Sequence, residues 1–258
     1  MFGIIFDEEY LKSTIKHLND VSEADIENIV KTDYIAGIPG ILRLMQQMKI
    51  ISHMSSIHKK VFDLFIKVLK KRIFEQEDQI ASQVGLAHGL SGFALALSSE
   101  YKKEHVLIHE LLTKEMTLTI KEENSYKWCW GLAGMIQARI EIVKENSSAV
   151  ITSQLLELIE KYGNLLDKIP QDDTLCHGTG SVLTTLNSIF EYSGDQRWKE
   201  KMSVLLSNVK CNSITNGYQI LRLLDLEMKG LFDGISSVGF SYFHALGDVL
   251  NLILLNIE

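Results

Sequence analysis

Proline and long apolar runs are what this sequence most obviously lacks. The chain has two prolines among 258 residues, which is typical of a mostly helical protein. No stretch reaches the ~18 consecutive apolar residues that a membrane-spanning helix needs. The N-terminal residues have neither the basic segment nor the small-residue cleavage site of a secretory signal. We therefore expect no transmembrane segment and a cytoplasmic protein.

Positive charge and cysteine are also in short supply. Lys and Arg number 26 against 33 Asp and Glu, which gives a formal net charge of −7. No basic patch with interleaved aromatic residues is present, so the sequence predicts no nucleic-acid partner. The three cysteines cannot pair completely, and the lack of an export signal favours a reducing compartment. Disulfides are therefore a poor explanation for the cysteines.

Glycines, in contrast, are numerous and regularly placed. Five segments combine glycines three residues apart, or a near match, with an apolar run of helical spacing. The first glycines of these motifs are Gly37, Gly89, Gly131, Gly178 and Gly234. They are separated by 52, 42, 47 and 56 residues, a period that accommodates two helices and their connections.

The segments between the glycine motifs have amphipathic patterns. In 61–69, for example, apolar residues recur with helical spacing and lysines fill the other face. Each repeat is predicted to contain an outer amphipathic helix, a loop that ends in glycines and a more apolar inner helix. No strand alternation is sustained, so the sequence predicts an all-α fold. Hairpins of this period either stack as an open solenoid or close into a ring, where every loop opens onto one mouth.

Metal-ligating and ionisable side chains are concentrated within the four residues before these glycines. They are Asp33, His88, Cys129, Cys176 and His177. Two thiolates and one imidazole form a soft ligand set that suits Zn²⁺, and three protein ligands are typical of a catalytic zinc. The sequence therefore predicts zinc on Cys129, Cys176 and His177, which would activate a thiol. His88 and Asp33 are predicted to transfer the protons of the reaction.

Simpler interpretations stay open for several of these residues. His88 could hydrogen-bond the end of a helix, and Asp33 could be an ordinary helix cap. Cys211 lies outside the glycine motifs and is predicted to be a small buried residue. Trp128 and Trp130 flank a predicted ligand and either line a substrate groove or pack loops together.

Four motifs resemble the signatures of lanthionine synthetase cyclases. They are GLAHGLSG (85–92), WCWGLAG (128–134), LCHGTGS (175–181) and GLFDGISSVGFSY (230–242). The chain is most similar in style to the C-terminal cyclase domain of the bifunctional class II enzymes. The family fold is an α/α toroid of seven inner and seven outer helices, whereas five glycine motifs occur here. The resemblance therefore implies an incomplete α/α toroid with about five of seven hairpins. The expected organisation is a single cyclase domain over residues 1–258, with a leading helical segment at 1–30 and the repeats at 31–258.

The resemblance also implies a chemistry and its partners. Such enzymes add peptide cysteines to dehydroalanine or dehydrobutyrine and thereby form (methyl)lanthionine thioether rings in bacteriocin-type peptides. The expected substrate is a dehydrated lanthipeptide precursor, supplied by a dehydratase domain or protein. The resemblance implies zinc on Cys129, Cys176 and His177, His88 as the acid/base and Asp33 as its electrostatic or proton-relay support.

Other functions are alternatives to a peptide cyclase. A truncated or split module would bind zinc and peptide but need another chain, or the missing N-terminal region, for activity. Glutathione or another small thiol in place of the peptide cysteine is a further alternative. A toroidal glycoside hydrolase is disfavoured, because no paired carboxylates lie at the glycine loops.

Overall fold

A computed structural model describes most of the chain. The described ranges are 20–29, 33–52, 56–75, 83–166, 172–220, 222–223, 226–227 and 234–245. The chain divides into two compact units, Met1–Glu77 and Asp78–Glu258. The described residues are helical apart from loops and one short antiparallel ribbon, in which Arg222–Leu223 pairs with Leu226–Glu227. The all-α fold is therefore confirmed, and the single domain over 1–258 stays a prediction.

The first unit contains three described helices. They are α1 (Glu23–Glu27), α2 (Ile38–Ser52) and α3 (Ser56–Glu75). The short α1 begins with a capping box, in which the Ser22 and Asp25 side chains bind each other's backbone amides. It is attached to α3 through the Arg72 guanidinium, which donates to the carbonyl of Glu27 at 2.7 Å.

The second unit alternates inner and outer helices. Its inner helices are α4 (Leu90–Leu97), α6 (Leu132–Glu145), α8 (Thr179–Ser193) and α10 (Ile235–Ala245). Its outer helices are α5 (Tyr101–Thr117), α7 (Ala149–Gly163) and α9 (Gln196–Asn216). All eight residues of α4 are buried, whereas α9 buries three of its 21 residues. This difference confirms the predicted division into apolar inner and amphipathic outer helices.

Packing between the helices follows the order of the chain. The inner helix α4 packs on α6, α6 on α8, and α8 on α10, and each of the first three also packs on the outer helix that follows it. The apolar core of this unit is continuous across α6, α7, α8 and α9. Among the described helices, none is both long and apolar enough to cross a bilayer.

The glycine motifs allow backbones to approach closely. A Cβ added at Gly134, in the first turn of α6, would lie 2.0 Å from the carbonyl oxygen of Trp128. It would also lie 2.4 Å from the amide nitrogen of Leu86, in the loop of the preceding hairpin. Backbone atoms cannot retreat as a flexible side chain can, so this position accepts only glycine. The predicted role of small residues at the start of an inner helix is confirmed here.

The prediction that Cys211 is buried is wrong. This thiol is exposed on α9, whose buried residues are Met202, Leu205 and Val209. Cys211 lies two positions after Val209, and two helical steps rotate a side chain by ~200°, to the opposite face. The absence of a glycine motif at Cys211 does not determine whether this residue is buried. Its position on the helix relative to Met202, Leu205 and Val209 does.

Candidate metal centre

The loops before α4, α6 and α8 share one backbone design. In each, the first amide of the inner helix donates to the carbonyl seven residues earlier in the chain. The donor–acceptor pairs are Leu90–Gln83 at 3.3 Å, Leu132–Ser125 at 2.9 Å and Thr179–Asp172 at 2.8 Å. A glycine N-cap precedes each of these helices. The residues immediately before the glycine are therefore presented in the same way three times.

Backbone hydrogen bonds also join these loops to one another. The amide of Leu86 donates to the carbonyl of Trp128 at 3.2 Å, and the amide of His88 donates to that of Cys129 at 3.4 Å. Trp128 in turn donates to the carbonyl of Cys176 at 3.1 Å. Residues that are far apart in sequence are thereby held side by side, as the repeat pattern predicts.

Three metal-ligating side chains come together where the loops meet. The Sγ atoms of Cys129 and Cys176 and a ring nitrogen of His177 lie within 4.8 Å of one another. Both cysteines are free thiols and buried, and His177 is half-buried. Two sulfurs bound ~2.3 Å from a tetrahedral ion are ~3.8 Å apart, so small side-chain movements bring the three atoms to ligating distance. These three residues can hold a metal ion, and the soft donor set fits zinc.

The surroundings of Cys129 favour its thiolate form. Its pKa is lowered from 9.0 to about 6, chiefly by a hydrogen bond from the Cys176 side chain. Burial acts in the opposite direction, while a hydrogen bond from His177 and the charges of His177 and His88 lower the pKa further. Because a thiolate is the form that ligates metal, this electrostatic environment suits a ligand cysteine.

His88 lies next to the three ligands and against an aromatic ring. Its backbone amide donates to the Cys129 carbonyl, and its charge contributes to the lowered pKa of the Cys129 thiol. The His88 ring is half-buried, with its centroid 4.7 Å from that of Trp130. Trp130 is 39% exposed, whereas Trp128 is fully buried. Of the two flanking tryptophans, Trp128 therefore packs the loops together, whereas Trp130 is partly exposed to solvent beside His88.

Asp33 belongs to the first unit and caps a turn there. Its Oδ1 accepts a hydrogen bond of 2.7 Å from the amide of Ala36, and its carbonyl accepts one of 2.9 Å from Gly37. This hydrogen bond closes a turn before α2 and is not a helix N-cap, because Ala36 precedes Ile38, the first residue of α2. Its support of His88 stays a prediction.

One polar feature beside the site is not predicted by the sequence motifs. Glu115 on α5 and Arg139 on α6 form a fully buried ion pair behind the His88 loop. The only sequence signal was an arginine within the apolar run 135–143, at a position where every neighbour on the helix is buried. A charge in such a place requires a partner.

Comparisons with known proteins agree with the fold and with the four motifs. A family model described as lanthionine synthetase C-like protein matches residues 5–246. The lacticin 481/lactococcin biosynthesis protein LcnDR2 of Lactococcus lactis subsp. lactis is 27% identical over 275 aligned positions. That alignment covers 92% of this chain and 29% of the relative, so the chain spans less than a third of that protein's length.

A solved structure, that of nisin cyclase, has a similar fold. It matches with a TM-score of 0.65 over 96% of this chain and 73% of the nisin cyclase chain. Sequence identity in this match is 11%, so the likeness concerns the fold. It supports the α/α toroid that the resemblance implies, with the inner and outer helices that the glycine repeats predict.

Proposed function

Because the chain belongs to the lanthionine synthetase C-like family, we propose that it is a zinc-dependent cyclase of dehydrated lanthipeptide precursors. In the proposed reaction, a peptide cysteine thiol adds to the β-carbon of dehydroalanine or dehydrobutyrine. A carbon–sulfur bond forms, the thiol proton is lost, and the α-carbon gains a proton. The observation that carries this proposal is the convergence of three metal-ligating atoms within 4.8 Å.

Cys129, Cys176 and His177 would hold the zinc ion. When bound, zinc supplies a Lewis acid that makes a substrate thiol ionise near neutral pH. With two thiolates the ligand set offsets the charge of the ion, which keeps a substrate sulfur nucleophilic. Burial of both cysteines keeps water away from these donors and strengthens their electrostatic interactions.

His88 is the residue that we assign to proton transfer. It lies beside the ligand cluster and is half-buried, and an imidazole can both accept and donate a proton. In the proposed role it donates a proton to the α-carbon after the thiolate has added. The Trp130 ring packs against the imidazole and limits its orientations. Asp33 is proposed to support His88 electrostatically or as a proton relay.

The proposal also extends to partners and location. The peptide substrate must carry dehydrated serine or threonine residues, so a dehydratase domain or protein has to act before this chain. We place the reaction in the cytoplasm, where the thiols of substrate and ligands stay reduced.

The decisive experiment combines metal analysis with a thiol assay. The purified chain is expected to contain one zinc ion and to consume the free thiols of a dehydrated precursor peptide. A chelator should abolish thiol consumption and added zinc should restore it. A metal-free protein that cyclises the peptide at an undiminished rate would refute the proposal. A peptide without cysteines, given together with glutathione, tests whether a small thiol replaces the peptide nucleophile.

A second candidate function follows from the length of the relative. The chain spans 29% of the lacticin 481/lactococcin biosynthesis protein, so cyclisation by the family site could require further polypeptide. In that case the isolated chain would bind zinc and peptide without consuming thiols. Thiol consumption by the isolated chain excludes this candidate.

A further inference from the structure

A buried ion pair lies behind the turn that carries His88. Arg139 Nη1 and Glu115 Oε2 are 2.9 Å apart, and both side chains are 0% exposed. Burying two charges is costly unless every donor and acceptor around them is satisfied. The contacts of this pair therefore indicate what it holds in place.

Glu115 binds both ends of the His88 turn. Its Oε1 accepts hydrogen bonds from the amides of Gly85, at 3.1 Å, and Ser91, at 2.9 Å. Its Oε2 accepts a bond of 2.5 Å from the Ser91 hydroxyl. One carboxylate on α5 thus fastens the residue that begins the turn and the residue just after its end. His88 lies between these two attachment points.

Arg139 fixes the carboxylate in turn. Besides Glu115, its guanidinium donates to the Ser91 hydroxyl at 3.1 Å and to the carbonyls of Met135, at 3.2 Å, and Leu112, at 2.9 Å. Burial lowers the pKa of Arg139, and the charge of Glu115 opposes that shift. Arg139 therefore ties Glu115 to the backbones of both α5 and α6.

The geometry of the turn explains why the acceptor comes from another helix. The N-cap of α4 is Gly89, where a Cβ would lie 2.2 Å from the carbonyl carbon of Val84. A capping side chain therefore has no room, although the first amides of a helix need acceptors. Glu115 supplies one from α5. In the corresponding loop before α8, the Asp173 side chain binds a side chain and not a helix amide: its Oδ1 accepts from the Thr179 hydroxyl at 2.9 Å.

We infer that Glu115 and Arg139 are positioning residues, which hold the turn of His88 so that its imidazole keeps the geometry for proton transfer. This inference rests on the proposed function, in which His88 is the acid/base. Errors of about 1 Å in such a geometry reduce rates by about 100-fold. The pair touches no reacting atom and acts only through the backbone of the turn.

Two double variants separate the acceptor from the charge. Glu115→Gln with Arg139→Met removes both charges and keeps an amide oxygen for Gly85 and Ser91. Glu115→Leu with Arg139→Met removes the same charges and the acceptor. Paired removal of buried charges often preserves stability, so both proteins are expected to fold. The glutamine double should keep kcat within about threefold of wild type, and the leucine double should lose about 10- to 100-fold.

The readouts distinguish positioning from general loss of structure. Zinc content and KM should not change in either double variant, because the three metal ligands lie on other loops. Ile108→Ala, at a buried position on α5 two turns from Glu115, should lower stability and leave kcat unaltered. Equal kcat values for the two doubles would overturn the inference. If the leucine double does not fold, Glu115→Asp replaces it, since a carboxylate shorter by one methylene retracts from both amides. A wild-type kcat for Glu115→Asp would likewise overturn the inference.

A further measurement separates this inference from the proposed function. An inactive wild-type chain would refute cyclase activity of the isolated chain but leave the role of Glu115 testable by amide hydrogen exchange. Exchange at Gly85 and Ser91 should be faster in the leucine double, or in Glu115→Asp, than in the glutamine double. Exchange at Leu132, the first residue of α6, serves as the internal reference. Equal rates at Gly85 and Ser91 would show that the carboxylate does not hold the turn.

Discussion

The turn at 33–37 in the first unit and the turn at 174–178 in the second have the same backbone and different chemistry. In both, the amide of the closing glycine donates to the carbonyl four residues earlier, at 2.9 Å for Gly37 and 3.0 Å for Gly178. Both lead directly into a helix, α2 in one case and α8 in the other.

The two positions before the glycine are where these turns differ. The first turn has Ile35 and Ala36 there, and both are exposed. The second has Cys176 and His177, two of the three residues that can hold a metal. The glycine and its hydrogen bonds thus specify a backbone, and two side chains decide whether that backbone carries a site. A glycine motif alone predicts a hairpin and not a function.

The largest effect is expected from Cys176→Ala, which removes one of the two side chains that distinguish the second turn from the first. One thiolate ligand is lost, so the zinc content should fall and thiol consumption should drop to background. This loss exceeds the about 100- to 10,000-fold that removal of a general acid or base causes. Cys211→Ala is the matched control, since that thiol is exposed on α9. A zinc-loaded, active Cys176→Ala protein would contradict the proposed metal site.

His88→Asn replaces the imidazole that precedes Gly89, at the position that His177 occupies before Gly178. It changes no metal ligand. Zinc content should stay at the wild-type value while kcat falls about 100-fold or more, because proton transfer is lost. His105→Asn, at an exposed position on α5, should have no effect on either quantity. Zinc loss in His88→Asn with an unchanged kcat per bound zinc would argue against an acid/base role.

Two glycine substitutions test the backbone half of the comparison. Gly134→Ala places a methyl group against the Trp128 carbonyl and should cost about 1–3 kcal/mol in free energy of unfolding. Gly239→Ala adds the same methyl group in α10, where no packing partner among the described residues lies within 4 Å of it. Alanine is the better helix former by about 1 kcal/mol, so this variant should be neutral or slightly stabilising. Urea denaturation of both variants measures the difference, and equal destabilisation would contradict the described packing.

The smallest effect is expected at Asp33, where a cap and a catalytic support can be separated. Asp33→Ala should destabilise the protein by about 1 kcal/mol, because the Ala36 amide loses its acceptor. Asp33→Asn keeps an acceptor oxygen and should retain stability. If Asp33 supports His88, both variants lower kcat, though less than His88→Asn does. A wild-type kcat for Asp33→Asn would show that Asp33 closes the turn before α2 and does not support His88.

Residues close to the repeat motif could be identified from the sequence, and residues outside it could not. Cys129, Cys176 and His177 stand one or two residues before a glycine, so one periodic pattern predicted both their loops and their meeting point. Glu115 and Arg139 interact across two helices and share no motif with the site. Their pairing depends on how α5 and α6 pack, which side-chain spacing within one helix does not reveal.

Backbone hydrogen bonds between neighbouring loops set the distances between the metal-ligating atoms, whatever the length of the helices in each repeat. The outer helices α5 and α7, which lead into the loops before α6 and α8, have 17 and 15 residues, yet the two loops fold alike and stay hydrogen-bonded to each other. The connection from α6 to α7 lies at the C-terminal end of α6, ~20 Å along the helix from the loop that carries Cys129. An epitope tag or fluorophore inserted between α6 and α7 is therefore expected to leave the ligand atoms where they are.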